Sequence, residues 1–131
     1  MKNVNVAFVC LALMSCTAMP TKPADSLTPS ELNAAPSRHH GQHVKVFGLM
    51  TSSFERYGLW DSKAAFNRGN YSENCISLLI PETMDTSRYN MSYVELEGDF
   101  VQKLEESMVN LGACNATTLI LSEKSPPKPI K

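Results

Sequence analysis

The chain has 131 residues with 12 basic and 13 acidic side chains, which gives a formal net charge of −1 at pH 7. So small a charge excludes a strong electrostatic attraction to nucleic acid or anionic lipid. About a fifth of the length reads as an export signal and a tether, so roughly 95 to 100 residues remain, which is enough for one domain with one modest core.

The N-terminus has the anatomy of an export signal. A positive charge precedes the apolar run Val6 to Met14, which is too short to span a bilayer as a helix. The run closes on Leu13-Met14-Ser15-Cys16, a sequence that resembles the bacterial lipobox. We therefore expect residues 1–15 to be a signal peptide and Cys16 to carry the lipid. Plain secretory cleavage after Ala18 and an uncleaved anchor are the alternatives.

The residues after the cysteine indicate a location. Thr17 stands where an aspartate would resemble an inner-membrane retention signal. We therefore expect an outer-membrane lipoprotein that faces the periplasm, with a soluble periplasmic or secreted protein as the alternative. Residues 16–26 carry Pro20 and Pro23 among small polar residues, which predicts a lipidated N-terminus followed by a tether.

The predicted domain covers residues 27–124 and opens with a short helix. Thr28 can cap this helix, Pro29 suits its first position, and Glu31 completes a capping box. Pro36 ends the helix before it reaches three turns.

Five strands follow in the prediction. Alternating or continuous apolar patterns place them at residues 43–54, 59–61, 75–80, 93–100 and 117–121. Tyr57-Gly58 is predicted to form the turn into the second strand, and the polar stretch Ala64 to Asn74 is predicted to form a loop.

The end of the chain is predicted to contain a second helix and a tail. Apolar residues fall near helical spacing after the fourth strand, at Val101, Leu104, Met108 and Leu111, with Gly112 as a cap. The residues 125–131 are rich in proline and lysine and are predicted to be disordered.

An internal repeat indicates the architecture. Val44-x-Val46-x-Gly48 and Val94-x-Leu96-x-Gly98 share one spacing, in which two inward apolar residues precede a glycine. Small barrels need glycines or bulges where a strand turns a corner. The prediction is therefore a mainly β protein with a five-stranded OB-like barrel, in which the first and fourth strands pair and the third and fifth run parallel.

Two cysteines remain once Cys10 is removed with the signal and Cys16 carries the lipid. Cys75 opens the third strand and Cys114 lies just before the fifth, so an OB-like barrel brings both to the same end. An oxidising compartment favours a disulfide between them. Two separate buried thiols are the alternative.

Short motifs along the domain resemble those of small, uncharacterised bacterial exported proteins and lipoproteins with an OB-like core. They are Ser30-Glu31-Leu32, Gly41 to Gly48, Phe54-Glu55, Leu59-Trp60-x-Ser62, Cys75-Ile76-x-Leu78 and Glu97-Gly98-x-Phe100. The resemblance extends over most of residues 27–121, and it implies neither an enzymatic activity nor a catalytic residue. The predicted helix between strands four and five departs from the usual OB pattern.

The sequence offers no chemistry-bearing constellation. His39, His40 and His43 form the only histidine cluster, and Gly41 with the following strand argues against a helical metal site. Nucleophile-elbow, P-loop and metal-hydrolase motifs are absent. We therefore expect no catalytic residues, no metal, no cofactor and no enzymatic activity.

The best candidate contact surface surrounds the first predicted hairpin. It combines aromatic and basic side chains, which include the types that dominate binding hot spots, with one acidic residue. The predicted contacts are Phe54, Glu55, Arg56, Tyr57, Trp60 and Arg68. Envelope location and the acidic fourth strand argue against nucleic acid as the ligand.

The leading functional hypothesis is a non-enzymatic lipoprotein that binds a protein partner in the periplasm, and one version is an immunity protein against a periplasmic toxin. The alternatives are a module that binds an envelope glycan or small ligand, and a structural accessory of an envelope complex. In each case the lipid is the expected membrane attachment.

Overall fold

The computed structural model describes residues 18–54, 56–104, 114 and 117–131. The helices are α1 (Pro29–Ala34), α2 (Pro36–His39) and α3 (Lys63–Arg68), with a 3-10 turn at Ser87–Tyr89. The strands are β1 (His43–Ser53), β2 (Arg56–Trp60), β3 (Cys75–Leu79), β4 (Ser92–Val101), β5 (Thr118–Leu121) and β6 (Lys128–Pro129). The signal peptide, Cys16 and most of the helix predicted after the fourth strand lie outside the described residues, and Val101 belongs to β4.

Five strands close into a barrel. The strand order is β1-β2-β3-β5-β4, and β4 returns to pair with β1 along eight residues from His43 with Asp99 to Met50 with Ser92. The pairing of β3 with β5 is parallel and the other barrel pairings are antiparallel. The prediction of a mainly β, OB-like barrel is confirmed.

The two glycines of the internal repeat sit where strands approach closely. A Cβ atom on Gly48 would lie far inside van der Waals contact with the carbonyl oxygen of Trp60. One on Gly98 would meet the carbonyl oxygen of Ile120 in the same way. Any side chain would push the neighbouring strand away, so glycine at these positions lets the barrel close.

The apolar side chains form two clusters on the two faces of the curved sheet. The barrel interior holds the larger cluster, which is made of Leu32, Val46, Met50, Leu59, Ile76, Leu78, Tyr89, Val94, Leu96, Phe100, Leu119 and Leu121. The outer face carries a smaller cluster of Leu49, Trp60 and Cys75, against which Phe66, Tyr93 and Cys114 pack. The outer cluster matters for function because it supports the candidate site.

Helix α1 is capped as predicted and packs against the barrel core. The backbone N–H of Glu31 donates to the Thr28 hydroxyl at 3.3 Å, and the Thr28 N–H donates to the Glu31 carboxylate at 2.7 Å. Leu32 of this helix is fully buried in the interior cluster.

The first hairpin turns earlier than predicted. Ser53 pairs with Arg56, so the chain turns between these two residues, and Tyr57 and Gly58 lie inside β2. The expectation of a turn at Tyr57-Gly58 is wrong because Gly58 serves another purpose. A Cβ atom on Gly58 would lie 3.0 Å from the sulfur of Cys114 and would crowd the disulfide.

The stretch Ala64 to Asn74, predicted to be a loop, contains helix α3. The Ser62 hydroxyl accepts the N–H of Ala65 at 3.1 Å and caps the start of this helix. Gly69 ends it in the left-handed conformation with φ of +69°. Gly69 is therefore a helix C-cap rather than the tip of a turn.

Residues 125–131, predicted to be disordered, instead contain β6. Lys128 pairs with Glu95, and Pro129 pairs with Val94. The N–H of Ile130 adds a bond of 3.0 Å to the carbonyl oxygen of Tyr93. This segment satisfies backbone groups on the edge of β4 that β5 is too short to reach, and such unpaired edge groups favour strand addition.

Candidate functional site

The tip of the β1–β2 hairpin exposes an apolar side chain. Phe54 is 82% exposed at the turn, and Arg56 beside it is exposed too. Tyr57 is half-buried and packs against the interior cluster. Glu55, the fourth predicted contact residue of this stretch, lies outside the described residues. The structure thus brings three predicted contact residues to one protruding tip.

Trp60 is a supporting residue beneath this surface. Its side chain is 2% exposed and belongs to the outer cluster. Phe66 and Tyr71 each contact it edge-on, both with ring centroids 5.2 Å from the indole. Its Nε1 donates to the hydroxyl of Thr51 at 3.4 Å. The indole is therefore core, which leaves little of it for a partner to touch.

A groove of about 440 Å³ lies on one side of the hairpin, and we call it the aromatic groove. It is lined by Thr51, Ser53, Arg56, Trp60, Phe66, Tyr71, Asn90 and Met91. Tyr71 is 54% exposed and Met91 is 40% exposed, so both offer apolar surface at the rim.

The segment before β4 supplies the far wall of the aromatic groove. Met91 has a positive φ of 59°, which is uncommon for a side chain of this size, and its N–H donates to the carbonyl oxygen of Met50 at 2.8 Å. The side-chain oxygen of Asn90 accepts the N–H of Ser52 at 2.9 Å. These two bonds fix Asn90 and Met91 against the end of β1.

A second groove, of about 430 Å³, lies on the other side of the hairpin, and we call it the acidic groove. Its apolar lining includes Phe54, Tyr57, Ile80 and Met84, and its carboxylates are Glu82 and Asp85. Ser87 donates through its hydroxyl and its backbone N–H to Asp85, which lowers the pKa of that carboxyl. Asp85 therefore stays negatively charged at pH values where an ordinary aspartate would be protonated.

The exposed apolar side chains gather around the hairpin. Four large apolar residues in the described part of the chain stand out by their exposure: Met19, Phe54, Tyr71 and Met91. Phe54 lines the acidic groove, and Tyr71 and Met91 line the aromatic groove. We call the combination of Phe54, Arg56, Tyr57, Tyr71 and Met91 the hairpin surface.

Arg68 and the disulfide take different places relative to this surface. Arg68 is exposed in the last turn of α3 and lines neither groove. Cys75 and Cys114 form the predicted disulfide, with Cα atoms 5.5 Å apart. Because both cysteines pack with Trp60, the bond ties the outer cluster to the segment before β5.

The acidic face of β4 is occupied by neighbouring residues. His43 contacts Asp99 through Nδ1 at 2.8 Å and Glu97 through Nε2 at 3.0 Å. Hydrogen bonds to Asp99, and secondarily to Glu97, raise the pKa of His43. The hydroxyl of Ser26 donates to Glu95. The carboxylates of this face are thus engaged within the chain.

The other two histidines have partners of different kinds. The Nδ1 of His40 accepts the N–H of Gln102 at 3.0 Å, and the ring of His39 lies edge-on to Phe100 at 6.5 Å. Across residues 18–54, 56–104, 114 and 117–131, no group of three or more His, Cys, Asp and Glu side chains is arranged to hold a metal ion.

Sequence reasoning missed Asn90 and Met91, and it chose Trp60 as a contact where Tyr71 presents the exposed ring. The only local signal for the first pair is an asparagine just before a strand, which is typical of turns. Asn90 and Met91 reach the aromatic groove because the antiparallel pairing brings the start of β4 beside the end of β1.

In the part of the chain that the structure describes, no helix has the length and apolar character needed to cross a membrane.

Comparison with protein-family models, with curated protein sequences and with solved structures finds no match to this chain.

Proposed function

We propose that this protein is a non-enzymatic binding module of the bacterial cell envelope. The lipid on Cys16 anchors it in the outer membrane, and its barrel faces the periplasm. The hairpin surface binds a protein partner.

The observation that carries the proposal is the exposure of Phe54. A phenylalanine that is 82% exposed at the tip of a paired hairpin contributes little to the folded chain. Burying such a side chain in an interface is worth about 1.5–3 kcal/mol. Phe54 can therefore stabilise a complex more than it stabilises the isolated protein.

The surroundings of Phe54 add the features of a binding hot spot. Arg56 and Tyr57 follow it in the same hairpin, and arginine and tyrosine are the types enriched at such sites. Arg56 lines the groove on one side, and Glu82 and Asp85 line the groove on the other. Opposite charges on the two sides would orient a partner of complementary charge.

A specific version of the proposal is an immunity protein that neutralises a toxin in the periplasm. Such a protein needs a rigid binding surface and no catalytic residues, which suits a disulfide-linked barrel. A neighbouring gene that encodes a secreted effector would favour this version over a structural accessory of an envelope complex.

Site-specific photocrosslinking in living cells tests the proposal. A benzoylphenylalanine at position 54 should crosslink to a discrete protein. The matched control places it at Lys103, an exposed residue just beyond β4 at the opposite end of the barrel. Equal crosslinking from the two positions, or none from position 54, would contradict the proposal.

The lipid anchor has its own test. Changing Cys16→Ser removes the lipidated side chain, and we expect the protein to move from the membrane fraction to the soluble periplasm or to stay unprocessed. Cell fractionation with an antibody against the protein measures this. Unchanged membrane association of the variant would rule out the lipoprotein assignment.

The second candidate function is binding of an envelope glycan. The observation that favours it is the exposed ring of Tyr71 at the mouth of the aromatic groove, because aromatic rings stack on sugars. Titration with muropeptides, followed by the fluorescence of Trp60, the only tryptophan of the chain, tests this candidate.

A further inference from the structure

One charged side chain stands among the described lining residues of the aromatic groove. It is the cationic Arg56, and none of the other described lining residues is acidic. Arg56 forms no ion pair with another described residue, since those pairs involve Lys22, His43 and Lys45. An exposed guanidinium beside an apolar wall favours a planar anion such as a carboxylate, which it can bind through two parallel hydrogen bonds.

A neutral donor stands in the same groove. Asn90 uses its side-chain oxygen to accept the N–H of Ser52. That bond leaves the NH2 group of this exposed side chain as a hydrogen-bond donor. Arg56 and Asn90 thus add donors to a groove whose described lining residues include no carboxylate.

The apolar part of the wall is held in place by ring contacts. Trp60 holds Phe66 and Tyr71 edge-on, and Met91 closes the opposite side. The volume of about 440 Å³ is at the lower end of the range for ligand pockets, so it suits one or two side chains rather than a large ligand.

We propose that the aromatic groove receives an acidic-aromatic segment of the protein partner, in which a large apolar side chain enters the groove and an adjacent carboxylate binds Arg56. This inference rests on the proposed function and names the chemistry of the partner at this groove. Charge complementarity carries it, because the one charged group among the described lining residues is a cation that forms no ion pair with another described residue.

The same lining disfavours a glycan. Sugar hydroxyls both donate and accept hydrogen bonds, and sites that bind them provide carboxylate or amide acceptors. None of the described lining residues is a carboxylate, and the oxygen of Asn90 already accepts one hydrogen bond, from Ser52. The broad face of Trp60 is buried, so only Tyr71 offers a ring for stacking.

A pair of blocked dipeptides tests the inference on the protein purified from cells that express the full chain. The first is the N-acetylated amide of phenylalanyl-aspartic acid, and the second is its asparagine counterpart, which has the same shape without the charge. Titration followed by the fluorescence of Trp60 should give an affinity for the acidic dipeptide about tenfold higher. In Arg56→Gln this preference should vanish.

The matched control is Arg68→Gln, which removes an exposed arginine that lines neither groove. It should keep the tenfold preference. Equal affinities of the two dipeptides for the unmodified protein would overturn the inference, and so would an equal loss of preference in both variants. Binding of N-acetylglucosamine without binding of either dipeptide would overturn it in favour of a glycan.

Failure here is distinguishable from failure of the proposed function. Phe54 lines the acidic groove, so crosslinking from position 54 reports on a partner whatever occupies the aromatic groove. Crosslinking from position 54 without dipeptide binding would overturn the inference and leave the protein partner in place.

Discussion

The two ends of the barrel use their side chains in opposite ways. At the end where β1 begins, His43 is paired with Asp99 and Glu97, and Lys45 contacts Asp25 at 3.0 Å. At the hairpin end, Phe54 is exposed and Arg56 forms no ion pair with a described residue. At one end the charged side chains are paired within the chain, and at the other end apolar surface and a charge remain exposed.

This contrast separates side chains that stabilise the fold from those available for binding, although both kinds are aromatic or charged. Trp60 and Phe54 belong to the same hairpin, yet Trp60 is 2% exposed and Phe54 is 82% exposed. Replacing each should therefore change a different measured quantity.

Trp60→Ala should lower the free energy of unfolding by about 3–5 kcal/mol, because it empties the centre of the outer cluster. Phe54→Ala should change it by no more than about 0.5 kcal/mol, as surface substitutions usually do. Urea unfolding followed by circular dichroism measures both. Similar stability losses in the two variants would remove the distinction between a core residue and a contact residue.

Cys75→Ser and Cys114→Ser should each lower the free energy of unfolding by about 2–4 kcal/mol. The two positions are 39 residues apart in sequence, and a disulfide that closes such a loop restricts the unfolded chain. The double variant should match the single ones, because all three lack the same bond. Two reactive thiols found in the unfolded native protein would contradict this prediction.

His43→Gln should destabilise the protein at pH 5.5 and have a smaller effect at pH 8.5. The pKa of His43 is raised in the folded state by its carboxylate partners. Its contribution to stability is therefore fully present below pH about 6.5, the ordinary pKa of histidine, and is lost as the pH rises through the higher pKa of the folded state. Urea midpoints at the two pH values measure this.

The matched control for that pH test is Arg38→Gln in α2, which is exposed and outside the described ion pairs. Its effect should not depend on pH in this range, since arginine stays charged. A pH-independent effect of His43→Gln would mean that the imidazole does not gain stability from Asp99 and Glu97.

The barrel could be predicted from the sequence because its signals are local. Alternation in β4 separates inward Val94 and Leu96 from outward Glu95 and Glu97, and the structure buries the first pair fully. The glycines of the internal repeat recur at one spacing in two strands, and that spacing is visible in the sequence before the strands they approach are known.

The turn of the first hairpin was harder to predict, because two glycine roles look alike in a sequence. Gly58 reads as a turn residue, and its actual neighbour is the sulfur of Cys114, more than fifty positions away. Gly69 reads as a loop residue, and it ends α3. The disulfide beside Gly58 is distant in sequence and leaves no local pattern there, whereas Ser62 and Gly69 are local cap signals that the polar composition of their stretch masked.

The candidate site could be predicted only in part. Phe54, Arg56 and Tyr57 are neighbours in sequence and stay neighbours in the hairpin. Asn90 and Met91 reach the aromatic groove because β4 pairs antiparallel with β1, so their place depends on the closed topology. The burial of Trp60 likewise depends on α3, which the sequence did not predict.

The most direct test of a partner-binding hairpin end combines crosslinking with one variant at each end of the barrel. The yield of crosslinked partner from position 54 would be measured in cells that carry Arg56→Glu or Glu97→Gln, after circular dichroism has confirmed that both variants fold. We expect Arg56→Glu to reduce the yield about tenfold or more and Glu97→Gln to leave it unchanged. A normal yield in Arg56→Glu together with a lost yield in Glu97→Gln would contradict the account and place the partner on the acidic face of β4.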